Sequence, residues 1–231
     1  KMGIPTVNGA VLFDERYVGN PLVYCGTVGI IPADKTEKSI AEGDLIVAIG
    51  GRTGKDGIHG ATFSSVELDG AEVESLSTCV QVGNPIEEKK IMAVIKRSQD
   101  QELFTSITDC GAGGFSSSIG ELTETQGCRV DLDNIPLKYN GLTYAEMWIS
   151  ESQERMTLIV PPAKLDELKS LCDEEEVELA VLGTVTNTHK LELFYKGECV
   201  CSIDMEFLHG GIPRLHKKAR YTLKKEKPVK L

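Results

Sequence analysis

Four short stretches of the chain combine glycine with charged or amide side chains, the residue types that hold phosphate groups and metal ions. The first is GGRTGKDGIHGATFSS, residues 50–65, which directly follows an apolar run and carries Arg52, Lys55 and His59. Glycine lets the backbone approach a ligand closely, and successive N–H groups can cradle an anion. The spacing matches neither a P-loop nor a dinucleotide fingerprint. An anion loop and a flexible connection are therefore equally compatible with it, and His59 is better interpreted as a hydrogen-bonding or solvated residue.

The second stretch, VQVGNP over residues 80–85, precedes a strong helical pattern. A helix N-terminus attracts anions, and the Gln81 amide can both donate to and accept from a polar ligand. The spacing alone favours a simpler interpretation, in which Asn84 caps the helix and Pro85 occupies its first position.

The third stretch, DCGAGGFSSS, places Asp109 after a predicted strand and Gly111 and Gly113 in the following turn. A carboxylate is a hard ligand of the kind that Mg²⁺ prefers, and the N–H groups of such a turn can face an anion. This pattern suits a metal-phosphate site, and it equally suits an aspartate that caps the turn.

The fourth stretch, SESQERM over residues 150–156, packs carboxylates, hydroxyls, an amide and a guanidinium into one connection. Such a density of polar groups can fix a hydroxyl-rich ligand. It is equally compatible with an exposed charged turn in which Arg155 pairs with Glu151, an arrangement that would stabilise little.

The elements that must position these stretches alternate along the chain. Apolar runs bounded by turn residues predict strands, and Pro85 opens an amphipathic helix with Ile86, Ile91, Met92 and Ile95 on one face. Strands are predicted at 22–31, 44–50, 103–108, 155–160, 179–186, 190–196 and 199–205, further helices at 115–124, 143–149 and 161–172, and a loop at 51–62. This interleaving predicts an α/β (α+β layered) fold.

Composition excludes several classes of protein. The 231 residues are 41% hydrophobic and carry a net charge of −10, which argues against a nucleic-acid binder. Neither a membrane-spanning run nor a signal pattern is present, so we expect no membrane partner. Seven cysteines without a CxxC spacing indicate reduced thiols in a cytoplasmic protein. Residues 214–231 hold eight basic residues and one Glu, a pattern typical of a solvated linker.

Together the four stretches, with IPTVNGAVLFDERYVGNPLVYCGTVGI at the start, resemble phosphoribosylformylglycinamidine synthase (formylglycinamidine ribonucleotide synthase) of purine biosynthesis. The resemblance implies an ATP-dependent C–N ligase. With ATP and Mg²⁺ such an enzyme activates formylglycinamide ribonucleotide as an iminophosphate, and ammonia from a glutamine amidotransferase domain or subunit then displaces phosphate. It also implies a domain of the aminoimidazole ribonucleotide synthetase C-terminal type, with a mixed sheet and flanking helices.

The family's site residues map onto this sequence one by one. The resemblance implies substrate contacts at Gln81, Glu151, Ser152 and Gln153 and a metal ligand at Asp109. It assigns no proton acceptor, because the family's histidine and lysine of the ATP site match no stretch of this chain.

The resemblance also implies a domain organisation. Residues 1–29 are expected to end a preceding ATP-binding domain, 30–208 to form the synthetase domain, and 209–231 to lead towards a second half. The Lys-Met opening and lysine-rich end predict a piece of a longer chain, inactive without the remaining synthetase domains. A related synthetase or hydrogenase-maturation enzyme is one alternative, and a non-catalytic nucleotide-binding or structural module is another.

Overall fold

The computed structural model describes residues 3–19, 21–60, 79–211 and 214–222. The strands in this part of the chain are β1 (Leu45–Gly50), β2 (Ser106–Asp109), β3 (Cys128–Asp131), β4 (Arg155–Val160), β5 (Leu179–Val185), β6 (Lys190–Tyr195) and β7 (Glu198–Asp204). The α-helices are α1 (Pro85–Asp100), α2 (Phe115–Leu122), α3 (Tyr144–Ile149), α4 (Leu165–Glu174) and α5 (Met205–Gly210). Strands and helices alternate through most of this order, as the sequence predicts.

The strands form one mixed sheet with the order β2-β4-β1-β5-β3-β6-β7. Every neighbouring pair is antiparallel except β3 and β6, which run parallel. With helices on both faces, this sheet confirms the predicted layered α/β class.

Both faces of the sheet are buried, and strand β1 shows how. Successive strand side chains point to opposite faces, so Ile46 and Ala48 join one core while Val47 and Ile49 join the other. Helices α2, α3 and α5 cover the first core, and α1 and α4 cover the second. A run that is apolar at every position, such as LIVAI, is what two buried faces require.

Most predicted elements are confirmed, with shifts at their ends. The strand predicted at 103–108 begins only at Ser106. The helix predicted at 161–172 begins at Leu165 and is preceded by a 3-10 turn at Pro162–Lys164. The prediction that Ile86 shares the apolar face of α1 with Ile91 is wrong, because Ile86 is 68% exposed whereas Ile91 is buried. Strand β3 was not predicted, since CRVD is too short to show a period.

The strand predicted at residues 22–31 is wrong. This segment has no regular secondary structure and no ladder partner among the described residues, and its side chains lie in solvent, Val28 being 100% exposed. An apolar run becomes a strand only where a neighbouring strand and an apolar surface receive it.

The seven cysteines are all free thiols, which agrees with the reduced state expected from their spacing. Among the helices of the described ranges, none combines the length and apolar character needed to cross a bilayer.

Candidate functional site

The ends of three adjacent strands bring the chemistry-bearing stretches together. Strand β1 ends at Gly50 opposite Arg155, where β4 begins, and β2 ends at Asp109 opposite Met156. The connections that leave these strand ends therefore emerge side by side at one edge of the sheet. Three of them carry predicted motifs: the glycine loop (residues 51–60), the glycine turn (residues 111–114) and the polar turn (residues 150–154).

The polar turn is buried, so its interpretation as an exposed charged turn is wrong. Glu151 is 3% exposed and Ser152 is 0% exposed. Arg155, also 3% exposed, donates from Nε to the Ser152 carbonyl at 2.8 Å, from Nη2 to the Ser150 carbonyl, and from Nη1 to Thr53 Oγ1 at 2.8 Å. Burial lowers the pKa of Arg155 from its ordinary value. The guanidinium thus fixes the backbone of the turn through neutral oxygens.

Ser152 joins the polar turn to the glycine loop. Its hydroxyl donates to Asp56 Oδ1 at 2.8 Å and accepts the Gly54 N–H at 3.0 Å. Lys138 Nζ lies 2.9 Å from both Asp56 oxygens. Burial raises the pKa of Asp56, but the hydrogen bonds from Lys138 and Ser152 and the Lys138 charge outweigh it, so this pKa lies below its ordinary value. The Asp56 carboxylate is therefore an ionised anchor of the loop.

Glu151 joins the polar turn to two other segments. One carboxylate oxygen, Oε2, accepts the Gln81 side-chain amide at 3.0 Å. The other, Oε1, accepts the Gly113 N–H at 3.1 Å. Gln81 belongs to the glutamine loop (residues 79–84), so a single side chain connects that loop to the glycine turn.

Asn84 caps helix α1, as its spacing before Pro85 predicts. Its Oδ1 accepts the N–H of Ile86 at 3.2 Å and that of Glu87 at 3.5 Å. The Asn84 N–H itself donates to Glu154 Oε1 at 2.8 Å. The start of the helix is thus occupied by groups of the protein, which favours the capping role of this motif over an anion site.

Replacing Asn84 with alanine should destabilise the chain by about 1 kcal/mol, because two N–H groups of the first helical turn lose their acceptor. Urea denaturation of the purified chain would measure the loss. Asn84→Ser keeps an acceptor at the cap and is the matched control. Equal stabilities for the alanine and serine variants would contradict the capping role.

Asp109 is exposed at the end of β2, where the glycine turn begins. Within the described part of the chain its carboxylate has no hydrogen bond or ion pair. Gly113 and Gly114 have φ values of 79° and 57°, which favour glycine and let the turn fold back beside the polar turn.

The basic residues of the glycine loop do not converge with the other groups. Arg52 forms a two-pronged contact with Glu178, with distances of 2.7 and 3.2 Å, and Lys55 Nζ lies 3.1 Å from Glu146. His59 is exposed, with a φ of 61°. Phosphate binding by these side chains stays a prediction, and residues 61–65 of the motif lie outside the described residues.

Sequence reasoning missed the roles of Asp56, Thr53 and Lys138. A single carboxylate within a glycine-rich loop is a signal that points to Asp56. The contacts from Arg155 to Thr53 and from Lys138 to Asp56 join residues 102 and 82 positions apart, and no local pattern reports such pairs.

The fold is that of an α/β domain with polar loops gathered at one edge of a mixed sheet. Residues 41–196 match the family model described as AIR synthase related protein, C-terminal domain. The chain belongs to this family.

Within this family, the chain is similar to PurL proteins in both sequence and structure. The chain is 37% identical over 212 residues to phosphoribosylformylglycinamidine synthase subunit PurL of Thermoplasma acidophilum, covering 90% of this chain and 28% of the relative. It therefore spans less than a third of that relative's length. Thermotoga maritima PurL complexed with FGAR superposes with a TM-score of 0.74 at 30% identity, over 86% of this chain and 33% of that one. PurL of the same organism complexed with ATP gives a TM-score of 0.66 at 26% identity, over 84% and 30%.

Proposed function

We propose that this chain is part of an ATP-dependent ligase, a phosphoribosylformylglycinamidine synthase of purine biosynthesis. The ligase converts formylglycinamide ribonucleotide, ammonia from glutamine and ATP into formylglycinamidine ribonucleotide, ADP and phosphate. The observation that carries this proposal is the convergence of Gln81, Asp109 and the polar turn at one edge of the sheet. Its support is the likeness of the same domain to Thermotoga maritima PurL, which has been solved complexed with FGAR and complexed with ATP.

The proposed roles follow from the exposure of each group. Gln81 and Gln153 keep exposed or half-buried amides that can meet the hydroxyl and amide groups of a ribonucleotide. Glu151 and Ser152 are buried, and they accept hydrogen bonds from the Gln81 amide and from the N–H groups of Gly113 and Gly54. Their own contact with the ribonucleotide, which the family resemblance implies, is part of this proposal. Oriented donors of this kind stabilise charge that develops on a substrate because they need no reorganisation during the reaction.

The residues present fit a Mg²⁺ ion in part. Protein-bound Mg²⁺ commonly takes one or two carboxylates and completes its shell with water and phosphate oxygens. Asp109 offers one such carboxylate, exposed and unpaired among the described residues. Within those same ranges no cluster of three His, Cys, Asp or Glu side chains could hold a metal. Mg²⁺, when bound, screens the negative charge of the phosphoryl oxygens.

The proposal also assigns parts of the chain to different domains of the synthase. Residues 30–208 would form the synthetase domain, 1–29 would belong to a preceding ATP-binding domain, and 209–231 would lead to further synthetase domains. The chain would then supply part of a site and be inactive by itself, with ammonia delivered by a glutamine amidotransferase domain or subunit.

A nucleotide-release assay tests the function. The complete protein would be supplied with formylglycinamide ribonucleotide, ammonia and Mg²⁺-ATP, and ADP release followed while each is omitted in turn. Release that requires both the ribonucleotide and ammonia supports the ligase. ADP release that does not require the ribonucleotide would indicate another enzyme of the superfamily. The absence of ADP release would favour the non-catalytic module.

Asp109→Asn should lower the Mg²⁺-dependent turnover of the complete protein by about 100-fold, because the amide does not carry the charge that holds the cation. Folding should change little, since the side chain is exposed. Steady-state rates over a Mg²⁺ titration, with circular dichroism for the fold, would measure both effects. Asp100→Asn, an exposed aspartate at the end of α1, is the control. Near-normal turnover of the Asp109→Asn variant would contradict the proposal that Asp109 is a Mg²⁺ ligand.

A further inference from the structure

The glycine loop runs beside the segment of residues 136–139, which precedes helix α3. The Thr53 N–H donates to the Pro136 carbonyl at 2.8 Å, and the Lys138 N–H donates to the Thr53 carbonyl at 2.9 Å. These two backbone hydrogen bonds form a short parallel bridge between Thr53 and Leu137. The backbone of Lys138 is therefore fixed against the loop, and only its side chain has to be ordered to reach a partner there.

The partner of the Lys138 ammonium is the carboxylate of the glycine loop. Its Nζ lies 2.9 Å from both oxygens of Asp56. The Asp56 side chain is 17% exposed, so most of its hydration is lost, and a cation at this distance compensates for that loss. The Lys138 side chain is 38% exposed and lies at the rim of the site. Without this ammonium, the carboxylate would gain free energy by turning towards water.

Asp56 in turn sets the direction of the Ser152 hydroxyl. This hydroxyl has one proton, and two acceptors are within reach of it, namely Asp56 Oδ1 at 2.8 Å and the Ser150 hydroxyl at 3.1 Å. The bond to Asp56 is the stronger of the two, because its acceptor is charged. The Ser152 oxygen also accepts the Gly54 N–H at 3.0 Å. The Lys138 charge at the rim thus acts, through one carboxylate, on a fully buried residue of the polar turn.

We propose that Lys138 is a positioning residue of the ribonucleotide site: through Asp56 and the Ser152 hydroxyl, it holds the polar turn in the arrangement that the ribonucleotide meets. This inference rests on the proposed function, in which the polar turn contacts that substrate. The contacts that start at Lys138 end in the polar turn, so the ribonucleotide, and not ATP, is the substrate whose binding Lys138 affects.

Lys138→Met removes the ammonium and keeps a side chain that reaches towards the loop. In the complete protein we expect the KM for formylglycinamide ribonucleotide to rise about 10-fold, the equivalent of one misdirected hydrogen bond, and the KM for ATP to change by less than about twofold. Steady-state ADP release with each substrate varied would measure both constants, and circular dichroism would report the fold.

Two further variants are the controls. Lys138→Arg keeps a cation that can bond to both Asp56 oxygens, and it should return the KM for the ribonucleotide to within about threefold of the wild-type value. Lys35→Met removes the cation of an exposed ion pair with Glu102, and it should leave both constants unchanged. The Lys35 variant therefore accounts for the loss of one positive charge from a protein that binds an anionic substrate.

A double-mutant cycle with Ser152→Ala tests the route of the effect. In that background Lys138→Met should raise the KM for the ribonucleotide by less than about twofold, because the hydroxyl through which it acts is gone. Effects that multiply would show that Lys138 acts on the ligand by another route, and they would overturn the inference. An unchanged KM in a folded Lys138→Met variant would also overturn it, as would equal increases in the two KM values, which a general structural role would produce.

If Lys138→Met does not fold, the cycle is run with Lys138→Gln, which keeps a neutral donor in place of the charge. A wild-type protein whose ADP release does not depend on the ribonucleotide would overturn the proposed function itself, before the variants are compared. A wild-type protein with that dependence, and with no effect of the Lys138 variants, would overturn this inference alone.

Discussion

Replacing Gly114 with alanine is expected to have the largest effect of any single methyl group added to this domain. Gly114 has φ 57° and ψ −131°, a backbone conformation that is open almost only to glycine. A Cβ at this position would collide with the carbonyl oxygen of Ser150. That oxygen is a backbone atom and the position of the Cβ is fixed by its own backbone, so no side-chain rotation relieves the contact. The glycine turn and the polar turn would have to separate. We expect a loss of at least about 4 kcal/mol in the free energy of unfolding, together with loss of ribonucleotide binding.

Thermal denaturation of the chain and calorimetry on the complete protein would measure these two losses. Gly141→Ala is the matched control, because Gly141 has φ 101° and nothing within 4 Å of its added Cβ. That variant should cost only the backbone strain, about 1 kcal/mol. Similar losses for Gly114→Ala and Gly141→Ala would show that the close packing of the two turns contributes little.

Arg155→Met is expected to destabilise the domain by about 4 kcal/mol. The methionine keeps apolar contact with the Phe115 ring, over which the guanidinium lies at 4.4 Å. It leaves three buried acceptors without their donor, namely the Ser150 and Ser152 carbonyls and Thr53 Oγ1. Each unsatisfied buried group costs about 1–3 kcal/mol, and neighbouring costs do not add fully. Arg155→Lys should recover only part of the loss, because one ammonium does not match the three directions of the guanidinium.

Urea denaturation of the chain would give the free energies. Arg129→Met is the control, since Arg129 also lies over an aromatic ring, that of Phe194 at 3.6 Å, but on an exposed side chain. It should cost about 0.5–1 kcal/mol, the value of an exposed cation–π contact. If the two methionine variants were equally stable, the hydrogen bonds of Arg155 would not be what holds the polar turn.

Elements with a local signal could be predicted from the sequence, and those that depend on distant partners could not. The capping asparagine and proline define the start of helix α1, and a continuous apolar run defines β1. Strand β3 has only four residues and exists because β5 and β6 flank it. Residues 22–31 show the reverse, an apolar run that finds no partner strand among the described residues.

In the site, too, features with a local sequence signal could be predicted and those that depend on distant contacts could not. Four motifs could be selected because glycine and polar residues cluster locally, and Asp109 could be placed at a strand end because the strand before it is apolar. That Arg155 is buried, and that Asp56 is held by Lys138, depends on folding that brings residues 82 or more positions apart into contact. The polar turn was therefore compatible with an exposed surface until its neighbours were known.

The polar turn also limits how this domain can diverge. Through Ser152, Glu151 and Glu154 it bonds to the glycine loop, the glycine turn and the glutamine loop, so a replacement in any of these segments alters the fit of the others. Contacting residues do not change their contributions independently. Substitutions that preserve the fold should therefore occur at several contacting positions together at this edge of the sheet, whereas residues on the exposed helix faces can be replaced one at a time.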